Sequence, residues 1–405
     1  MHTFVFDCRD AEGELIKVGV DAEDRQSAAQ YLTDKGFHLA HELDDLIEES
    51  KSYVKNVTVP TEIITVFTRQ FANLIASGIP VVRAIHILIK QAVNKKFQGV
   101  LELIYLRLNR GLKISQAFTG FPKIFSSLYI ALLTVGERSG DLDEMMEKLA
   151  DSLEKQLALN KKIKSASTYP ALIVSITVLL TYFIFNFILP SFLSFFEGMR
   201  MPLPVTTKVI MFLTKAVKNP LFIGSIFITI FFIWYSIKLY IKTKRGKLNF
   251  DRFLLNLPVI GSLKRKIIMA HVTQTLSVLL TAGIPIMQAL DLTTKSIDNE
   301  IYKEIFSRVS LFIFNGESFG TSLTFLKNEF HPLMLHLTLV GEETGTLPNM
   351  FTRLEQFYSE EVSHSIEVMI HMLEPMMIFF IGSVVGVIAI SIFIPLYQIL
   401  QTMGG

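Results

Sequence analysis

The hydrophobic pattern of this 405-residue chain is dominated by three long apolar runs, at 171–190, 221–241 and 376–400. The first and the last contain no charged residue. Each has about 20 residues, which at about 1.5 Å per residue is enough to cross a hydrocarbon core of roughly 30 Å. A buried helix of a soluble protein rarely continues so far without a polar stripe. The pattern therefore predicts three transmembrane helices.

Between these runs, apolar residues recur at helical spacing, and glycine or proline marks the breaks. One helix is expected to end at Ser77-Gly78, and a sharp turn between helices is predicted at Val135–Leu142. Residues 61–170 and 266–375 are therefore predicted to form two all-helical domains. A basic linker at 242–265 precedes the second domain.

The two helical domains are copies of each other. Residue n resembles residue n + 205, without a gap, from about residue 66 to the end of the chain. Short segments present in both copies include Gly78-Ile79-Pro80 with Gly283-Ile284-Pro285, and Val135-Gly136-Glu137 with Val340-Gly341-Glu342. Because so long an ungapped register does not arise from helical composition alone, we interpret it as a duplication.

The duplication and the basic residues predict the topology. If both copies keep one orientation, the unrepeated run at 221–241 must return the chain across the membrane. Lysines precede the first run and follow the second more densely than they occupy the loop 191–220. The positive-inside rule then places the N-terminus and both domains in the cytoplasm, with that loop and the tail 401–405 in the periplasm.

The first 45 residues have a different pattern. Phe4, Phe6 and Cys8 alternate with polar residues, and a second strand, a helix and a short third strand follow. We predict a small ββαβ module at 1–45, joined by a linker at 46–60. A tethered module suits docking to a partner, and a terminus with no dedicated partner is the alternative.

Composition excludes several classes of function. The formal charge of +2 is close to neutral, and the basic residues cluster near the apolar runs, so nucleic acid is not an expected partner. The single cysteine excludes an internal disulfide and a cysteine-cluster metal site. The mean hydropathy of +0.42 agrees with a membrane protein.

Several duplicated motifs resemble a known family. These are Thr68–Phe71, Ser77–Pro80 and the turn Val135–Leu142, followed by Tyr169-Pro170 at the first apolar run. Together they resemble the F-type inner-membrane platform proteins of type II secretion systems and type IV pili, which include PilC- and MshG-like proteins. The resemblance covers the whole chain. The second copy departs from it, with Glu374-Pro375 at the equivalent place.

This resemblance implies a scaffold in the bacterial inner membrane. Six-helix cytoplasmic bundles would face a hexameric motor ATPase, and the membrane part would contact pilin or pseudopilin subunits as they enter a filament. The bilayer, other inner-membrane assembly proteins and further copies of the chain are the other expected partners. The filament would belong to a secretion pseudopilus or a type IV pilus, an MSHA-like pilus among them.

The chain lacks a G-x-x-x-x-G-K-[ST] loop, so its energy must come from another protein. We expect a non-enzyme that needs no cofactor. A transporter built from parallel repeats is the alternative, but such proteins place polar or charged residues near the bilayer midplane. A receptor scaffold is disfavoured because the loop between the first two runs has only about 30 residues.

Candidate functional residues follow from the duplication. Glu137 and Glu342, kept in both turns, are candidates for a contact with the motor or between the domains, or for a local helix-end hydrogen bond. Turn geometry is the expected role of four glycines: Gly136, Gly140, Gly341 and Gly345. Four small residues predict a packing seam between transmembrane helices, namely Gly382 and Gly386 with their equivalents Thr177 and Thr181.

Two further patterns resemble catalytic or metal sites. Gly316–Gly320 matches the G-x-S-x-G elbow of serine hydrolases, but that motif needs a preceding strand and helices are expected here. Glu361-x-x-His364 matches half of a di-iron motif without a second half in the other copy. We interpret it as a polar helix face and expect no metal.

Overall fold

The computed structural model describes residues 2–9, 15–22, 25–36, 38–39, 57–188, 190, 212 and 219–403. Residues 10–14 between the first two predicted strands, most of the linker 46–60 and most of the loop 191–220 lie outside the described residues. The chain divides into two compact units. One holds the chain up to Leu159 together with Ile268–Tyr358, and the other holds Asn160–Ile267 together with the chain from Ser359.

The N-terminal module is a three-stranded antiparallel sheet with one helix. Its elements are β1 (His2–Arg9), β2 (Leu15–Ala22), α1 (Arg25–Asp34) and β3 (His38–Leu39). β1 is the central strand, with Phe6 opposite Val18 and Cys8 opposite Leu39. Phe6 and Cys8 point inward with Ala28 and Leu32 of α1 and form a small buried core. The predicted α+β module is confirmed.

Each copy of the repeat folds into six helices, as the family resemblance implied. The first copy consists of α2 (Thr61–Ala76), α3 (Val81–Gln91), α4 (Lys95–Asn109), α5 (Ile114–Thr119), α6 (Ser127–Ser139) and α7 (Leu142–Phe183). The second consists of α10 (Ile260–Thr281), α11 (Ile286–Ser296), α12 (Glu300–Phe314), α13 (Phe319–Thr324), α14 (Pro332–Glu343) and α15 (Leu347–Met403).

Among the residues that the structure describes between the copies, two helices have defined bounds. These are α8 (Pro220–Ile241), which contains the predicted second span, and α9 (Lys244–Asn256), in the predicted basic linker. The linker is therefore mostly helical. A π-helical turn, Ile184–Ile188, extends α7, and the Asn186 side chain within it donates to the Tyr182 carbonyl at 3.0 Å.

The core of the first bundle is rich in aromatic rings. Phe118, Phe125 and Tyr129 are buried, and the Phe118 and Phe125 ring centroids lie 4.7 Å apart. The equivalent positions of the second bundle hold Leu323, Phe330 and Met334, which are also buried. The two bundles thus fill the same positions with rings in one copy and mainly with aliphatic side chains in the other, which conserves burial but not shape.

The helices α7 and α15 continue through the predicted boundaries between domain and membrane. Pro170 lies inside α7 and Pro375 inside α15. A proline removes one backbone hydrogen bond but does not stop a long helix whose remaining bonds are made. Among the described residues, Leu142–Ile188 and Leu347–Ser383 are long and apolar enough to cross a membrane.

Burial distinguishes these helices from the core of a soluble protein. In each, only 6% of the most apolar stretch is buried. Leu172, Leu179 and Phe379 are more than half exposed, which water would disfavour and a bilayer favours. The predicted second span is helical as part of α8, and Ile228–Ile241 forms a shorter apolar helix there.

Candidate functional site

The turn between α6 and α7 and its copy between α14 and α15 depend on glycine in two ways. Gly140 and Gly345 have φ of 86° and 70°, a left-handed conformation that glycine adopts without steric cost. Gly136 and Gly341, which the sequence analysis assigned to the turn, lie instead inside α6 and α14, because these helices continue to Ser139 and Glu343. Their role is to allow close packing. A Cβ at Gly136 would lie 2.9 Å from the Cα of Leu142, and one at Gly341 would lie 2.7 Å from the Cγ of Met350. The glycines therefore fix how closely the last helix of each bundle approaches the helix before it.

The carboxylates of Glu137 and Glu342 lie at the start of the short helix in each bundle. Glu137 accepts hydrogen bonds from the Ile114 backbone N–H at 2.7 Å and from the Ser115 hydroxyl at 2.6 Å. Glu342 accepts from the backbone N–H groups of Phe319 and Gly320, both at 2.7 Å. The first N–H groups of a helix lack partners within the helix, and an anion is favoured there.

These bonds are the local helix-end hydrogen bonds that the sequence analysis gave as the alternative to a contact with the motor or between the domains. They tie α5 to α6 and α13 to α14 across 22 or 23 residues of chain. Both carboxylate oxygens are occupied inside the bundle in each copy. A contact of Glu137 or Glu342 with the motor remains a prediction.

The two bundles meet at a polar junction within the first compact unit. Lys155 of α7 lies 3.0 Å and 3.1 Å from the two carboxylate oxygens of Glu355 on α15. The amide nitrogen of Gln274, on α10 of the second copy, donates to the Ser152 carbonyl on α7 at 2.8 Å. Beside these contacts, the Ser277 and Thr352 hydroxyls of the second copy are 2.9 Å apart. Glu355 is 5% exposed, so its charge depends on Lys155 for compensation.

A groove lies beside this junction, between α6 of the first copy and α11 of the second. Its volume is about 730 Å³, and it is lined by apolar residues such as Ile130, Val135 and Leu292. Arg138 and Lys295 also line it. The Lys295 ammonium pairs with Asp291 at 2.6 Å. The groove is formed by both copies and therefore exists only when the two bundles are assembled.

The first copy carries an ion-pair cluster on α7. Arg69 donates to both oxygens of Glu154, at 2.7 Å and 2.8 Å, and also to Asp151. The hydrogen bond from Arg69 lowers the pKa of Glu154 and raises that of the guanidinium. Gln274 stands at the equivalent place in the second copy. It also contacts α7, so helices α2 and α10 both bind the same helix.

Other buried ionisable groups are held by the bundle interiors. Arg107 is 4% exposed and donates to the Ala117 carbonyl at 3.0 Å, and burial lowers its pKa. Burial also raises the pKa of Tyr129, whose hydroxyl is 3.3 Å from the Thr68 hydroxyl. His271, 3.0 Å from the Ser296 hydroxyl, has a pKa lowered by burial and is neutral near pH 7.

The patterns that resembled catalytic or metal sites have structural roles. Ser318 is the N-cap of α13 and accepts from the Thr321 backbone N–H at 3.2 Å. Glu361 pairs with Lys266 at 2.7 Å, and Glu367 with Lys162 at 3.6 Å. Within the part of the chain that the structure describes, no group of three potential metal-binding side chains occurs.

The predicted membrane seam differs between the copies. At Gly382 and Gly386, a Cβ would meet nothing within 4 Å. Thr177 is 8% exposed, and its hydroxyl donates to the Ile173 carbonyl at 2.8 Å. The glycines therefore leave a surface to which a neighbouring helix could come close, and the seam remains a prediction.

The duplicated architecture matches a known family. The family model for type II secretion system (T2SS) protein F matches residues 67–190 and again residues 272–395. The two matches are separated by the same 205 residues that relate the copies in the sequence. The chain belongs to the T2SS protein F family.

Individual members of this family resemble the chain along most or all of their length. The chain is 32% identical to the type IV pilus assembly protein PilC of Thermus thermophilus, over 100% of this chain and 99% of that protein. It is 30% identical to PilC of Myxococcus xanthus, over 98% and 94%. It is 27% identical to type II secretion system protein F of Pseudomonas aeruginosa, over 84% of each. The predicted family is therefore confirmed.

Sequence reasoning missed the contacts that distinguish this protein F homologue's two bundles. The pair Lys155 and Glu355, the Arg69 cluster and the burial of Arg107 were not predicted. One signal was present in the sequence. Arg107 and Gly120 are replaced together by Phe312 and Phe325 in the second copy, and such a joint replacement points to spatial contact.

Proposed function

We propose that this protein is the inner-membrane assembly platform of a type II secretion or type IV pilus machine. It would couple a cytoplasmic motor ATPase to the extraction of pilin-like subunits from the bilayer and their polymerisation. The N-terminus and both bundles would lie in the cytoplasm and the C-terminus in the periplasm. The names of the full-length relatives, which are pilus assembly or type II secretion proteins, support this role.

The observation that carries the proposal is the continuity of α7 and α15. Each begins as the last helix of a bundle and continues into an apolar segment long enough to cross a membrane. An unbroken backbone is the most direct covalent route by which an event at a bundle can reach the bilayer. The chain has no phosphate-binding loop of its own, which agrees with a motor supplied in trans.

The polar junction supports a role for the two bundles as one body. Lys155 of the first copy binds Glu355 of the second, and Gln274 of the second copy binds Ser152 of the first. A motor that bound one bundle would therefore also act on the other. The open surface at Gly382 and Gly386 is the proposed contact with another membrane helix, from a second copy or from a pilin-like subunit.

The test of this function uses the tagged full-length chain in cells that carry its secretion or pilus genes. We expect the motor ATPase and pilin-like proteins to co-purify with it from membranes, and deletion of its gene to abolish filament assembly. Normal filaments in the deletion strain would exclude a platform role.

Reversal of charge at Glu137 and Glu342 separates motor binding from folding. Glu137→Lys and Glu342→Lys remove bonds to charged acceptors worth about 1.5–3 kcal/mol each, so both variants should unfold at lower temperature. If these residues also bind the motor, the amount of motor ATPase that co-purifies with each variant (the ATPase recovery) should fall even at temperatures where the variants remain folded. Glu343→Lys is the matched control, because Glu343 is adjacent, exposed and outside the helix-end contact. ATPase recovery that follows only the folded fraction would remove both residues from motor binding.

A further inference from the structure

A fixed corner joins the apolar helix α8 to the basic helix α9. The Thr243 hydroxyl donates to the Tyr240 carbonyl at 2.8 Å and accepts from the Gly246 backbone N–H at 3.1 Å. A Cβ at Gly246 would lie 1.9 Å from the Tyr240 carbonyl oxygen, so only glycine permits this approach. The Asn249 amide donates to the Tyr240 hydroxyl at 3.0 Å. The direction of α9 after α8 is therefore set by side chains as well as by the backbone.

The corner presents a set of exposed cations. Lys242, Lys244, Arg245 and Arg252 are all exposed, and none has an ion-pair partner among the described residues. Arg245 and Arg252 are seven residues apart, which places them two helical turns apart on one face of α9. The acidic residue of this helix, Asp251, is only partly exposed. The face therefore carries concentrated, uncompensated positive charge.

Aromatic side chains occupy the last turns of α8 before this corner. Trp234, Tyr235 and Tyr240 are each about half exposed. The Lys238 ammonium lies 4.8 Å from the centroid of the Trp234 ring. Tryptophan and tyrosine concentrate where hydrocarbon meets headgroups, and lysine there extends its charge toward the surface. Beside the arginines, Phe253 of α9 is 61% exposed, which suits the boundary between headgroups and acyl chains.

We propose that the face of α9 bearing Arg245, Arg252 and Phe253, together with Lys242 and Lys244, binds the headgroups of anionic phospholipids. The cations begin within a few residues of the apolar end of α8, at the level where the phosphates of one leaflet lie. The arginines would contact the phosphates and Phe253 would enter the acyl boundary. A soluble acidic partner would explain the charge but not the exposed phenylalanine or the aromatic residues on α8.

The chain contains one tryptophan, so Trp234 reports this site without labelling. The full-length protein is reconstituted in phosphatidylcholine vesicles that contain an equal mole fraction of either brominated phosphatidylglycerol or brominated phosphatidylcholine, with bromine on the acyl chains. Each cation near an anionic surface strengthens association roughly fivefold at moderate salt. We expect brominated phosphatidylglycerol to quench Trp234 with an apparent affinity at least roughly five times that of the zwitterionic lipid, which is the contribution of a single cation.

The variant Arg245→Gln/Arg252→Gln should lose most of this preference and still quench normally with brominated phosphatidylcholine. The matched control is Arg83→Gln/Arg308→Gln, which removes two exposed arginines from the bundles and should keep the preference. Equal quenching by both lipids in the unaltered protein would overturn the proposal. So would an equal loss in both double variants. If inorganic phosphate, at constant ionic strength, abolished the preference, the face would be a phosphate site rather than a lipid site, and an acidic protein that displaced the lipid would assign it to that partner.

Discussion

In the first bundle, Arg107 is buried against Gly120, where a Cβ would lie 2.0 Å from a guanidinium nitrogen. In the second bundle the same two positions hold Phe312 and Phe325, whose ring centroids are 5.3 Å apart. One copy thus fills this site with a long cation and no facing side chain, and the other with two rings. The same backbone arrangement accommodates either pair of residues. We expect that a mixed pair, with one residue taken from each copy, would not fit.

The helix-end contact differs in the same manner. Glu137 uses the Ser115 hydroxyl as its second donor, whereas Glu342 uses the backbone N–H of Gly320. A Cβ at Gly320 would lie 2.7 Å from Leu339, so glycine allows α13 to come close enough for the backbone to reach. The duplicated glutamates have kept one task while their partners have diverged.

The largest expected effect comes from combining a residue of one copy with a residue of the other at this site. Gly120→Phe places a ring against the buried Arg107 and should destabilise the protein by about 2–3 kcal/mol through overpacking. Adding Arg107→Phe recreates the pair of the second copy, and we expect it to recover about 1–2 kcal/mol as a coupling between contacting sites. Thermal unfolding of the full-length protein in detergent measures both.

The control for this cycle is Gln116→Phe, which adds a ring at an exposed position of α5, the helix that ends just before Gly120. It should change stability little. If Gly120→Phe and the double variant were equally unstable, the two positions would not be coupled, and the comparison between the copies would fail at this site.

An intermediate effect is expected at the junction. Lys155→Met leaves the buried Glu355 carboxylate without its counter-ion. Because more than half of the Lys155 side chain is exposed, solvent moderates the loss, and we expect about 1–2 kcal/mol. Lys155→Met/Glu355→Leu should recover most of it, since an apolar pair of similar volume often replaces a buried ion pair at little cost.

Lys90→Met is the matched control for the junction, because Lys90 is exposed on α3. Its unfolding should match that of the unaltered protein. Co-purification of the motor ATPase with Lys155→Met, measured where the variant is folded, would also test whether the bundles act as one body. An unchanged unfolding temperature for Lys155→Met would mean that the two bundles are joined without this pair.

Local pattern was enough to predict the kinds of element in this molecule. Helical spacing, the glycine at each turn and the 205-residue offset predicted two six-helix copies once the family resemblance was added. The same pattern could not reveal that Lys155 binds Glu355, 200 residues away. A contact between side chains so far apart in the chain produces no periodic pattern in the sequence around either residue. The boundaries between domain and membrane at Pro170 and Pro375 were predicted from composition. The helices continue through both prolines, so the change from polar to apolar residues does not coincide with a break in the helix.

The smallest expected effect is the most specific test of how the copies diverged. Arg69→Gln gives the first copy the residue of the second and removes the ion pairs with Glu154 and Asp151. These acidic groups are about half exposed, so the loss at neutral pH should be below about 1 kcal/mol and should shrink in high salt. Because Arg69 lowers the pKa of Glu154 from its ordinary value of 4.5, the stabilisation is present above that value and is lost as pH falls through the lowered pKa. The unfolding temperatures of the variant and the unaltered protein should therefore differ slightly at neutral pH and converge in acid.

Arg83→Gln, which removes an exposed arginine on α3, should show no such pH dependence. A difference that persisted unchanged in acid would mean that Arg69 stabilises α7 by packing of its aliphatic stem rather than by charge.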